Sequence, residues 1–176
     1  EGAKLESDLV KKAKEAGVRF IGPNCLGVID THSGVNASFA AGMPHKGSIG
    51  FFSQSGALCL AVLDRALPEE IGFSKFISMG NKAGLTENEL LIYLQEDPKT
   101  DVILMYLEDL VNGREFMDIA RQITSSPSCP KPIIALKAGR TILGARAASS
   151  HTGSLAGSDK VYDAIFDQCG VLRVET

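Results

Sequence analysis

A chain of 176 residues, 44% apolar and 22% charged, can bury one main core and has the composition of an ordinary globular domain. Its net charge of -3 supplies no basic footprint for nucleic acid, and no apolar run is long enough to span a bilayer, so neither partner is expected. The four cysteines, Cys25, Cys59, Cys129 and Cys169, are widely spaced, and His32 and His45 have no cysteine nearby, which predicts reduced, mainly structural thiols and no metal site.

Taken in chain order, the first pattern is a helix over Glu6 to Ala16 followed by a short apolar run, Val18 to Ile21, that reads as a strand. A Gly-, Ala- and Ser-rich stretch from Gly34 to Gly47 then reads as a linker, which makes the opening segment the tail of a preceding domain. Beyond it, β-rich runs at Ser48 to Phe52, Phe73 to Ser78, Val102 to Leu107, Ile133 to Lys137 and Val171 to Val174 alternate with helical patterns. The helices are expected at Gly56 to Ala66, Glu87 to Glu96, Arg114 to Ser125 and Asp159 to Cys169. In the last of these, Val161, Tyr162, Ile165, Phe166 and Cys169 recur at three and four residues and form one apolar stripe. Strict alternation of strand and helix predicts parallel pairing with right-handed crossovers, an α/β fold. The chain opens on Glu1-Gly2-Ala3-Lys4, with neither Met nor a signal-peptide pattern, and is expected to be a piece of a longer protein.

The residues with chemical potential fall where such a sheet collects its ligands, at the carboxyl ends of the strands. Ser53-Gln54-Ser55-Gly56 opens a helix whose free amides and dipole favour an anion. Gly80-Asn81-Lys82 follows the next strand, with glycine for a tight turn and lysine to offer a charge. Glu108 ends the strand after that, and Gly139-Arg140 follows the fourth, just ahead of His151 in Ser149-Ser150-His151-Thr152-Gly153. Imidazole is nucleophilic near neutral pH and can carry a phosphoryl group, and its small neighbours leave room for the adduct. Singly, each residue has a plainer role: Ser55 as a helix N-cap, Glu108 as loop charge, Lys82 or Arg140 as a surface cation. Their common edge is what argues for a site. A serine hydrolase is a poorer fit, since a nucleophile elbow centred on Ser55 wants glycine where Ser53 stands.

Phe20 to Gly27, with its Gly22-Pro23-Asn24-Cys25 turn, Gly50 to Leu58, Ser78 to Ala83, Tyr106-Leu107-Glu108 and Ser150-His151-Thr152-Gly153 together resemble the NDP-forming acyl-CoA synthetases. Within the succinyl-CoA synthetase superfamily they look like the ADP-forming acetyl-CoA synthetase branch. The resemblance implies a flavodoxin-like parallel five-stranded sheet with helices on both faces over residues 46–176. Residues 1–45 would then be the end of a Rossmann-like CoA-binding domain and a linker. It also implies a reaction: acyl-CoA and phosphate give an acyl phosphate, which phosphorylates a histidine, which phosphorylates ADP. His151 would be that histidine and Glu108 the glutamate that steadies the imidazole. Ser53, Ser55 and Gly56 would receive phosphate, while Asn24, Cys25, Asn81 and Lys82 would stand at the CoA and acyl end. CoA is the implied cofactor, with ADP or ATP and Mg2+ held by an ATP-grasp region on the same chain or a partner subunit of a cytoplasmic oligomer. Succinyl-CoA synthetases carry a Gly-Gly-Asp type loop where Gly80-Asn81-Lys82 stands, and glycine where Ser150 precedes the histidine, so the likeness leans toward acetyl or aryl-acyl substrates. The alternative is the acetyl-CoA-sensing, synthetase-like region of a protein lysine acetyltransferase; the presence of His151 and Glu108 speaks against it.

Overall fold

A computed structural model describes residues 1–139 and 159–174; Arg140 and His151 lie outside the described residues. The elements run α1 (Gly2–Glu15), β1 (Gly27–Asp30), β2 (Val35–Ser38), β3 (His45–Ser53), α2 (Gly56–Ala66) and β4 (Gly72–Ser78). They continue with α3 (Glu87–Glu96), β5 (Val102–Leu107), α4 (Gly113–Thr124), β6 (Ile133–Lys137), α5 (Asp159–Gln168) and β7 (Leu172–Val174). The strands form a seven-stranded sheet in the order β2-β1-β4-β3-β5-β6-β7. From β4 to β7 every pairing is parallel, and β1 joins both β2 and β4 antiparallel. Counted alone, the five parallel strands stand in the flavodoxin order 2-1-3-4-5.

Alternation along the strands divides the core into two layers. Phe52, Ile77, Ile103, Met105, Ile133 and Ala135 pack with Leu91 and Leu94 of α3, Phe116 and Ala120 of α4, and Phe166 of α5. On the opposite face Phe51, Phe73 and Phe76 pack with Cys59 and Leu63 of α2 and Ile29 of β1. Their rings meet at centroid distances of 4.7–6.2 Å, within the range of favourable aromatic pairs. Local chemistry starts three of the crossover helices: Ser55 caps α2, Thr86 and Glu89 form a capping box on α3, and Asn112 caps α4.

Two expectations for the opening segment are corrected. Val18 to Ile21 is not a strand, because its continuation bonds a loop instead of a sheet. The carbonyls of Phe20, Gly22 and Pro23 accept from the amides of Leu85, Ala83 and Asn81. The stretch read as a linker contains β2, which pairs with β1 as a hairpin on the free edge of β4. Thr31, fully buried, seals that edge by donating its hydroxyl to the Phe73 carbonyl at 2.6 Å.

Lys75 of β4 is 7% exposed and lies 2.9 Å from Asp97 and 3.5 Å from Asp30. Burial pushes the Asp97 carboxyl up, but hydrogen bonds from Lys75, Thr100 and the Lys99 amide outweigh it and leave the group below its ordinary 3.8. A depressed carboxylate contributes stability above its unfolded value and loses it as pH falls through the folded one. Lys75→Met is therefore expected to cost about 3 kcal/mol at pH 7, as a buried pair broken on one side does. That difference from wild type should narrow below about pH 4, where thermal unfolding of both proteins is compared; a pH-independent gap would remove the ion pair from the explanation.

Candidate functional site

A cavity of about 790 Å³ opens at the carboxyl edge of β3, β4 and β5. Its wall includes Asn24, Cys25, Gln54, Ser55, Gly56, Asn81, Lys82 and Glu108, so residues far apart in the chain converge there. β6 ends at the same edge and leads through Gly139 toward the segment that holds His151, which lies outside the described residues.

Hydrogen bonds within the chain shape the turn after β3. Ser53 is fully buried; its hydroxyl donates to the Ser55 carbonyl and accepts from the Ser55 amide, both at 3.0 Å. Ser55 then caps α2 by accepting from the Leu58 amide at 3.2 Å. Ser55, Gly56 and Ala57 line the cavity, putting the start of α2 and its dipole against it. Of the three residues expected at phosphate, Ser55 and Gly56 face the cavity, and Ser53 acts from behind by shaping the turn.

The second wall depends on one glycine. Gly80 has φ +59, and a Cβ there would lie 2.2 Å from the Pro23 carbonyl oxygen and 2.5 Å from that of Asn24. Only glycine lets the two turns approach so closely. The contact brings Asn24, itself left-handed at φ 56, to donate to the Asn81 side chain at 3.3 Å. Asn81 in turn donates to Glu6 of α1 at 2.7 Å. Cys25, Leu26, Phe39 and Leu60 add an apolar side to this wall, with Phe39 90% exposed.

Glu108 lies on the third wall, immediately after β5. Its own amide and that of Asp109 both donate to the Gln54 side-chain carbonyl, at 2.6 and 3.2 Å. The Gln54 amide group returns a bond of 3.0 Å to the Asp109 carboxylate. Burial pushes the nearby Tyr106 phenol up, and the charge of Glu108 pushes it the same way. Lys82 departs from the sequence-based expectation of a charge offered to a bound anion. Its side chain is 3% exposed, and its ammonium lies 2.6 Å from Asp109 and 3.0 Å from Glu87.

Three residues of this edge had no role assigned from the sequence. Gln54 sits inside the Ser-Gln-Ser-Gly motif, but nothing in an amide's identity says that it faces inward. Glu87, fully buried at the start of α3, accepts from the Val111 amide at 2.7 Å. Lys137, at the end of β6, has its ammonium 4.2 Å from the Tyr162 ring centroid and donates to the Ala138 carbonyl at 2.6 Å. Burial holds the Lys137 amine below its ordinary value, assisted by the Arg173 charge. Among the described residues no group of three or more His, Cys, Asp and Glu could hold a metal ion.

A sequence profile described as the succinyl-CoA ligase like flavodoxin domain matches residues 46–176. The chain is 50% identical over its whole length to ADP-forming acetate–CoA ligase I of Archaeoglobus fulgidus, of which it covers 25%. It is 47% identical, again over its whole length, to the α subunit of ADP-forming acetate–CoA ligase II of Pyrococcus furiosus, covering 37% of it. A solved structure of the dinucleotide forming acetyl-coenzyme A synthetase 1 of Ca. Korarchaeum cryptofilum, in complex with phosphate and ADP, superposes with a TM-score of 0.92 at 43% identity. That match covers 98% of this chain and 37% of the solved one. The chain thus spans between a quarter and two fifths of the relatives it matches. With a five-stranded parallel order of the flavodoxin type and a profile match over most of its length, it belongs to the family of succinyl-CoA ligase like flavodoxin domains.

Proposed function

We propose that this chain is the histidine-bearing part of an ADP-forming acyl-CoA synthetase, an acid–thiol ligase that interconverts acyl-CoA, phosphate and ADP with carboxylic acid, CoA and ATP. The observation that carries the reading is the convergence of the α2 N-terminus, the Asn24–Asn81 contact and Glu108 on one cavity. The names of the relatives support a ligase over an acetyl-CoA-sensing regulatory region.

Each wall then has a task. Phosphate bound at Ser55 and Gly56 attacks the thioester carbonyl; the carbon–sulfur bond breaks, CoA leaves as thiolate and an acyl phosphate forms. The helix-start amides hold the anion without the cost of reorganising solvent. Asn24, Cys25 and Asn81 orient the acyl end, whose alkyl or aryl part lies toward Leu26, Phe39 and Leu60. A ring nitrogen of His151 next takes the phosphoryl group, breaking its bond to the carboxylate oxygen. Glu108 stabilises the cationic ring, and ADP finally accepts the group to give ATP. The nucleotide and its magnesium are held by an ATP-grasp region outside this chain, on the same polypeptide or on a partner subunit, within a cytoplasmic oligomer. No described helix is long and apolar enough to cross a membrane.

Incubating the parent protein with γ-labelled ATP and magnesium is expected to place label on His151, lost in mild acid and retained in base, as phosphoramidates behave. Peptide mapping locates it. Stoichiometric label in His151→Asn would end the phosphohistidine reading.

A further inference from the structure

Lys82 has a backbone φ of 57, a left-handed conformation unfavourable for a residue with a Cβ and held only where its surroundings over-determine it. Backbone bonds from Asn81 and Ala83 to Pro23 and Gly22 fix the loop on either side of it, and the side chain is held as well. The ammonium donates to Glu87 Oε2 and to the Asp109 carbonyl, both at 3.0 Å, and lies 2.6 Å from Asp109 Oδ1 as an ion pair. With its side chain 3% exposed and its charge met by two carboxylates, the lysine borders the cavity but is turned to the protein.

The same few atoms hold the loop that follows β5. Within residues 108–111, the amides of Glu108 and Asp109 are taken by Gln54 Oε1, and the amide of Val111 by Glu87 Oε1. Gln54 reaches the loop from the end of β3, and Glu87 from the first turn of α3. Lys82 links the two halves, since its ammonium lies between the second oxygen of Glu87 and the carboxylate of Asp109, which also accepts from Gln54 Nε2 at 3.0 Å. Without that cation the fully buried Glu87 carboxylate would lose its counter-charge and the loop one of the contacts that tie it to α3.

Building on the phosphohistidine reading, we propose that Lys82 is a positioning residue for Glu108: together with Gln54 and Glu87 it clamps the 108–111 loop from behind and so sets where Glu108 meets the reacting histidine. Lys82 touches no substrate in this arrangement. It acts on turnover through Glu108 and leaves binding of acyl-CoA unaffected.

The test is a double-mutant cycle in the parent enzyme, Lys82→Met against Glu108→Gln, reading the rate of His151 phosphorylation and the KM for acyl-CoA. Lys82→Met is expected to lower the rate about 10²-fold, in the range of a misplaced electrostatic stabiliser, with KM changed less than about threefold. In the Glu108→Gln background the same substitution should cost less than about threefold more, because residues acting through one group are not additive. Amide hydrogen exchange at Glu108, Asp109 and Val111 should quicken at least about tenfold in Lys82→Met, as bonds to the clamp open. Should Lys82→Met not fold, Gln54→Leu, which cuts the same loop free without changing any charge, takes its place in the cycle. Equal losses in both backgrounds, a raised KM with kcat retained, or unchanged exchange at the three amides would each overturn the clamp. If wild-type enzyme takes no label on His151, the phosphohistidine reading fails instead, and the exchange measurement still decides whether Lys82 holds the loop.

Discussion

The 176-residue chain by itself is expected to make no ATP from acyl-CoA, phosphate and ADP. It covers 25% of one similar ligase and 37% of another, and its cavity of about 790 Å³ presents a helix N-terminus, two asparagines, three acids and an apolar side. Those groups suit the reacting phosphate and acyl carbon. They do not amount to a seat for a whole CoA and a nucleotide together, and the reaction depends on holding all its participants in register. Positioning of this kind accounts for about 7–11 kcal/mol of a barrier, enough to take turnover below detection when it is lost. Restoring the parent polypeptide, or adding the partner subunit if the nucleotide region is separate, should bring ATP formation back through His151. A coupled luciferase assay reads it directly. ATP made by the isolated chain, and made equally well by its His151→Asn variant, would refute both the division of labour and the role of the histidine.

Glu108→Gln in the parent enzyme is expected to lower phosphorylation of His151 by about 10²-fold to 10³-fold. Glutamine keeps a hydrogen-bonding group of the same length and removes only the charge, so the loss measures how far the carboxylate stabilises a cationic ring. The geometry favours a large effect. The backbone at Glu108 is held by Gln54 at 2.6 Å, so the side chain departs from a fixed point. Rapid-quench measurement of labelled enzyme separates this step from nucleotide binding, and the unfolding temperature should stay close to wild type because Glu108 is only half-buried. Phosphorylation at the wild-type rate would return Glu108 to the status of loop charge.

The core of the fold was legible in the sequence because its signals are local. Helices α2 and α3 run over the residues that periodicity predicts, Gly56–Ala66 and Glu87–Glu96, and β5 and β6 match as well. Each of those segments carries its own apolar pattern, and α2 and α3 carry their own caps. The hairpin of β1 and β2 was not legible. Gly34 to Gly47 has the composition of a linker, and β2 is mostly exposed, so no alternation marks it. What orders it is the vacant edge of β4, whose residues lie some forty positions downstream, as the Thr31 to Phe73 bond shows. Val18 to Ile21 failed in the opposite sense. Its apolar run has strand character, but its neighbours in space are the Asn81–Leu85 loop, which no pattern in the run itself announces.

At the site the division follows the same line. Sequence alone determined that Ser55, Gly56, Asn81 and Glu108 belong to turns at strand ends, because the alternation of elements assigns every such turn to one edge of a parallel sheet; Asn24 was reached only through the family resemblance. Tertiary structure alone decided which side chains on those turns face the cavity and which face the core. Ser53 and Lys82 turn inward, Gln54 takes the amide of Glu108, and Glu87 takes that of Val111. A side chain's direction is set by the donors and acceptors that burial forces it to satisfy. Those partners stand 54 residues away for Gln54 and 27 for Lys82. Only a folded chain brings them within hydrogen-bonding distance.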